Sequence, residues 1–271
     1  MGNLSNTGRI FYGISMAAMG LQTIYFNDLP YMMIPAQHSW IDSLVVLNYI
    51  AGALLILAGV CIALRKNTMT VSLLLGTALL LIFCFYFIPY QFMSRARYTS
   101  FGNWENAAKE LTLATGAFVI AGCFPENNEN PLIRSLKKLV PLGTILFAIT
   151  IISYGVNHFL YAQGASGYVP SWIPNRIFWV YMGGIGLLGC GIAILLKIKA
   201  GLFATLLGAM IFIWVVILHI PYAIARPFDY KGSEVTSLFL ALAYCGIAFV
   251  IAGSSAPSRG WPRPQTRSER R

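Results

Sequence analysis

The chain has 271 residues, 57% of them hydrophobic and only 10% charged, with a mean hydropathy of +0.67. Soluble domains carry about a quarter charged residues, so water is not the main solvent of this chain. The formal net charge of +10 does not indicate a nucleic-acid partner, because Lys and Arg sit at the ends of apolar runs and in the last residues without forming a basic face; orientation in a bilayer accounts for them instead.

Hydrocarbon offers no partner to a free N–H or C=O, so repeated apolar runs near twenty residues predict an all-α integral membrane protein. Eight such runs cover 9–26, 43–64, 70–91, 106–123, 139–162, 176–197, 200–223 and 233–254. The first ends in the polar pair Gln22-Thr23, and the second carries Gly52 and Gly59. The third closes on Ile88-Pro89-Tyr90, where proline removes a hydrogen bond and predicts a kink or a stop. Lys109 and Glu110 open the fourth and are expected to stay wet or to snorkel, with Glu105 and Glu110 as candidates for a proton path. Residues 124–138, rich in Pro, Glu, Asn and Lys, form a linker. The fifth run carries Asn157-His158. The sixth is rich in glycine (Gly183, Gly184, Gly186, Gly189, Gly191), which lets helices approach closely. The seventh ends in His219-Ile-Pro221-Tyr222, with Arg226 and Asp229 following. The tail 255–271 has no apolar period and predicts disorder.

Comparing the halves gives constant shifts. Gly20 and Gly155, like Pro35 and Pro170, are 135 apart; Tyr49 and Tyr181, Gly76 and Gly208, and Pro89 and Pro221 are 132 apart; Ala117–Gly122 recurs as Ala248–Gly253 at a shift of 131. The shifts change in loops, where insertions belong. The expectation is therefore two parallel four-helix bundles, 1–123 and 139–254. Residues 9–26 match 144–161, so the first run reads as a retained helix and not as a signal peptide.

With both termini inside, thirteen Lys and Arg fall on the inner side and six on the outer, which favours cytoplasmic termini. Trp40, Trp172, Trp179 and Tyr181 form the expected outer aromatic belt. Cys61, Cys84, Cys123, Cys190 and Cys245 lie within the runs and make no CxxC pair, so dithiol chemistry has no support.

The second half reads Gly155-Val-Asn-His-Phe-Leu-Tyr-Ala162, Val169-Pro-Ser-Trp-Ile-Pro174, Phe178-Trp-Val-Tyr-Met-Gly183 and His219-Ile-Pro-Tyr222; the first half adds Trp104 and Lys109-Glu-Leu-Thr-Leu113. This set resembles the DoxX-like membrane proteins over most of residues 9–254. The resemblance implies a bacterial inner-membrane protein, with some relatives placed in quinone-linked sulfur oxidation or membrane oxidoreductase complexes. The chain departs from a single-unit member by its duplication, and by Gln22-Thr23 in place of Asn157-His158.

His158 and His219 are expected at one membrane depth, facing inward onto one outward-opening cavity, with Asn157, Tyr222 and Arg226 as its other candidate ligand-binding residues. Neutral imidazoles there could bond a quinone carbonyl, relay a proton, or ligate haem or a metal, the last two being weaker readings because no third ligand has recognisable spacing. The expected function is an accessory, non-catalytic membrane subunit of a redox system, partnered by the bilayer and by a membrane or periplasmic redox protein. A small-molecule transporter and an assembly scaffold are the alternatives.

Overall fold

The computed structural model describes residues 2–31, 33, 45–127 and 130–255. Pro35, Trp40, the start of the second run and the tail beyond Ser255 lie outside the described residues.

Among the described residues every regular element is helical. Eight long helices lie on the eight apolar runs: α1 (Asn3–Phe26), α2 (Val45–Ala63), α3 (Thr68–Phe92), α4 (Glu105–Cys123), α5 (Val140–Leu160), α6 (Arg176–Leu195), α7 (Ala200–Ala225) and α8 (Ser233–Ser254). Six of them, α2, α3, α5, α6, α7 and α8, are long and apolar enough to cross a membrane. The chain is an all-helical, multi-pass membrane protein by that criterion. α1 and α4 are the two more polar helices, and packing explains why they can be. α1 is gripped by α2 and α8, and α4 by α3, α5 and α8. Their polar side chains therefore meet protein more than lipid.

Chain neighbours pair, α1 with α2, α3 with α4, α5 with α6 and α7 with α8. Two further pairings cross between residues 1–123 and 139–254: α1 lies along α8, and α5 along α4. α4 and α8 meet at the centre. The apolar stretch of α8 is 72% buried against 28% for α2, α3 and α7, so α8 is a core helix and those three form the rim.

Glycine sets these distances. A Cβ on Gly20 of α1 would lie 2.6 Å from the Gly52 carbonyl of α2, and one on Gly184 of α6 would lie 3.3 Å from the Gly155 carbonyl of α5. Across the halves, a Cβ on Gly246 of α8 would lie 2.6 Å from the Gly8 carbonyl, and one on Gly143 of α5 would lie 3.0 Å from the Thr115 carbonyl of α4. Without a hydrophobic drive between helices in lipid, such close contact supplies the attraction.

The α2–α3 and α6–α7 turns are built alike. Arg65, Asn67, Lys197 and Lys199 all take left-handed φ values, of 60°, 47°, 58° and 42°. In each turn an amide reaches back to close the preceding helix: Lys66 N donates to Cys61 O at 2.8 Å and Ile198 N to Ala193 O at 2.9 Å. Each following helix widens to a π turn, at Phe83–Phe87 and Val215–His219, just before Pro89 and Pro221. Of the expected kink or stop, a stop at the proline does not occur, and both helices end within two residues of the runs 70–91 and 200–223. Proline cannot donate and crowds the carbonyl one turn back, and a wide turn absorbs both defects while α3 and α7 continue to Phe92 and Ala225.

At the end of the molecule that holds the N-terminus, Arg9 is only 6% exposed. It donates to the closing carbonyls of α2, Ile62 O and Ala63 O, and lies 5.4 Å from the Phe124 ring. Arg9 thus terminates a helix instead of standing free as an interfacial charge. Residues 124–138 are likewise packed: the short helix Pro131–Leu136 buries Ile133 among Met69, Leu73, Phe118 and Ala121.

Gly20→Val or Gly155→Val should force α1 from α2 or α5 from α6, lowering stability by about 1–3 kcal/mol. Gly164→Ala, at a position where a Cβ meets nothing within 4 Å, should stay within about 0.5 kcal/mol of the parent. Thermal unfolding in detergent checks both.

Candidate functional site

At the end of the molecule away from the N-terminus, four helices and a loop bring polar side chains together. Lys109 of α4 pairs with Glu105 at 2.7 Å, as spacing of four residues on one helix allows. Its ammonium also lies 5.5 Å from the centre of the Tyr31 ring. The Tyr244 hydroxyl of α8 donates to Lys109 O at 3.4 Å and sits 2.9 Å from the Tyr154 hydroxyl of α5. With Tyr244 donating to that carbonyl, Tyr154 is the donor between the two phenols. Their rings stack at 5.8 Å with an interplanar angle of 18°. Thr112 Oγ1 lies 3.5 Å from the Tyr154 hydroxyl, and Tyr31 bonds Ser237 of α8 at 3.4 Å.

Both histidines border this cluster from different sides. His219, on the π turn of α7, lies within electrostatic range of Lys109. A π turn adds one residue to the helical turn, so it changes where the following side chains point, a feature frequent at functional sites. His158 of α5 bonds the Tyr154 carbonyl through Nδ1 at 2.8 Å, with its ring against Gly183 and Gly184 of α6. Asn157 Oδ1 is buried without a hydrogen-bond partner among the described residues. Tyr222 and Arg226 lie further along α7, where the Arg226 guanidinium sits 6.0 Å from the Tyr222 ring centre. Gln22, aligned with Asn157, has its amide nitrogen within reach of Lys231 O at 3.0 Å, Gly232 O at 2.9 Å and Thr236 Oγ1 at 2.5 Å, tying α1 to the start of α8, while its Oε1, like Asn157 Oδ1, is buried without a hydrogen-bond partner among the described residues.

Glu110 corrects an expectation. It is 0% exposed, and neither carboxyl oxygen has a hydrogen-bond partner among the described residues. It does not remain wet, because it points inward from α4 toward α1, within electrostatic range of the Tyr12 phenol. Lys109, with 18% side-chain exposure, is also largely withdrawn from solvent. Tyr154 and Tyr244 belong to no motif singled out in the sequence, and Thr112 enters there only within Lys109-Glu-Leu-Thr-Leu113. Their counterparts at the repeat shifts are Met19, Leu113 and Ala243, so a polar residue aligned with an apolar one was the available signal.

Chemically, the Lys109 ammonium and an imidazole can donate to an oxygen ligand, and a phenol would do so by giving up its bond to the neighbouring phenol or to Lys109 O. Among the described residues no group of three or more His, Cys, Asp and Glu is placed to hold a metal ion. No family model, curated protein or solved structure matches the chain.

An isolated buried carboxyl is destabilising relative to an apolar side chain of similar volume. Glu110→Leu should therefore raise the thermal midpoint in detergent, equivalent to about 1–2 kcal/mol. Unfolding of the variant would reveal a structural bond to Glu110 instead.

Proposed function

We propose that the chain is an eight-span membrane protein, built by duplication of a four-helix unit and resembling the DoxX-like proteins of the bacterial inner membrane. Its termini are cytoplasmic. Its polar cluster holds the oxygen-bearing head of a small apolar molecule, a quinone above all, in the service of a membrane redox system. The chain itself is an accessory subunit and not an independent catalyst.

The duplication is supported by repeated detail. The wide turns, the left-handed turn residues and the closing amide bonds recur 132 residues apart. Gly8 against Gly246 is matched by Gly143 against Thr115 at the sequence shifts of 135 and 131. The eight spans follow if α1 and α4 cross with their partners, since an even number of crossings per unit keeps all comparable turns on one side.

The observation that carries the ligand reading is the hydrogen-bonded Tyr154–Tyr244 pair beside Lys109 and His219. A quinone head presents two carbonyl acceptors, and burial within helices gives its ring and tail an apolar surround. The unpartnered Glu110 favours a second reading, passage of a proton or a cationic solute through the bundle, because an ionisable residue within a membrane marks pathways as well as binding sites.

Extraction of the protein purified in mild detergent, followed by mass spectrometry, should recover a quinone in near-stoichiometric amount. Tyr244→Phe and His219→Leu should each reduce its occupancy at least about fivefold, the loss expected of one neutral hydrogen bond, while folded yield is kept. Recovery of no quinone from any preparation contradicts the proposal.

A further inference from the structure

A cavity of about 960 Å³ opens at the end of the molecule that holds the N-terminus, between the start of α7 and the ends of α6 and α8. Lys197, Lys199, Gly201 and Thr205 line it together with apolar side chains that include Ile145 and Leu202. Its cause is visible in the other half. There, the positions 132 and 131 residues earlier are Met69, Leu73 and Ala121, and the helix Pro131–Leu136 covers them with Ile133. In this half the same positions are Gly201, Thr205 and Ala252. Two large side chains are replaced by small ones, and no described segment takes the place of Ile133.

The filled half also shows what the start of such a helix binds. Glu126 Oε1 accepts from Met69 N at 2.9 Å, and Oε2 accepts from Thr70 N at 3.2 Å and Thr70 Oγ1 at 3.0 Å. A carboxylate thus seats on the first amides of α3, where the helix dipole favours an anion. The residue 131 positions after Glu126 is Pro257, which offers no carboxylate. The N-cap of α7 is Lys199, whose side chain has no acceptor either. The second half therefore keeps two turn cations, Lys197 and Lys199 against Arg65 and Lys66, and the Gly201 amide in the place of Met69 N, while Leu202 N is bonded to Lys199 O at 2.9 Å and the aligned position offers no carboxylate.

We propose that this cavity is a site for an anionic phospholipid, its phosphate held by Lys197, Lys199 and the first turn of α7, and an acyl chain lying along Ile145 and Leu202. Those two side chains are 44% and 52% exposed, so the cavity opens sideways toward the bilayer. Charge decides against the chain's own tail as occupant: residues 256–271 hold five arginines and one glutamate, and would meet the lysines with like charge. The inference rests on the membrane-spanning reading and is independent of the quinone reading.

The test is native mass spectrometry of the full chain titrated with phosphatidylglycerol and, separately, phosphatidylcholine, with a photo-crosslinking residue at position 205 as a second readout. Phosphatidylglycerol should bind preferentially, and Lys197→Gln/Lys199→Gln should weaken it about thirtyfold, given roughly a kilocalorie per lysine near an anionic surface. Gly201→Met/Thr205→Leu, which restores the side chains of the filled half, should also displace it. Lys137→Gln/Lys138→Gln should leave binding unchanged at the same net charge. Crosslinking from position 205 should reach lipid. Equal binding of phosphatidylcholine, equal loss in the Lys137/Lys138 control, or crosslinking to residues 256–271 would each overturn the proposal. Release of the protein from membranes by alkaline carbonate would instead defeat the membrane reading beneath it.

Discussion

Backbone contact at glycine is the constraint on which this structure depends. In lipid, one apolar helix has no reason to prefer another over hydrocarbon, and only close packing distinguishes them. Gly20 facing Gly52, and Gly8 facing Gly246, bring backbones to distances at which a single Cβ would intrude on a carbonyl. These contacts decide that α1 lies between α2 and α8, and the corresponding ones decide that α5 lies between α6 and α4. Once those pairings are made, α4 and α8 are enclosed at the centre and can hold residues that lipid would not tolerate.

The polar cluster follows from that enclosure. Lys109, Thr112 and Glu110 sit on α4, and Tyr244 sits on α8, the two helices that meet at the core. Tyr154 reaches them because α5 is held along α4. His219 lies within electrostatic range of Lys109 from the wide turn of α7. At the sequence shifts of 135 and 131, Met19 and Leu113 align with Tyr154 and Tyr244.

The helices were legible in the sequence because hydrocarbon length and backbone satisfaction leave little freedom: all eight long helices lie on the apolar runs, and α8 matches 233–254 at both ends. The shifts that relate the halves were legible too, since glycine and proline mark positions where only those residues fit. Other features depended on which face of a helix turns inward. Glu110 and Arg9 look like interfacial charges in one dimension, yet one is buried without a hydrogen-bond partner among the described residues and the other closes α2. Proline predicts a defect, but whether a helix stops or widens depends on the packing beyond it, as Pro89 and Pro221 illustrate. The exchange of partners between halves, α1 to α8 and α5 to α4, has no signature in hydropathy at all.

That exchange is the central claim, and distances can test it directly. In a background without native cysteines, one pair, Phe11→Cys with Phe249→Cys, joins α1 to α8, where the two rings now lie 6.3 Å apart. A second pair, Leu146→Cys with Phe118→Cys, joins α5 to α4 at the corresponding positions. A short bifunctional maleimide applied in membranes should link both pairs rapidly, and should leave the pairs 11 with 118 and 146 with 249 unlinked. Efficient linkage of the latter two, with none of the former, would mean that each half closes on itself, contradicting the account.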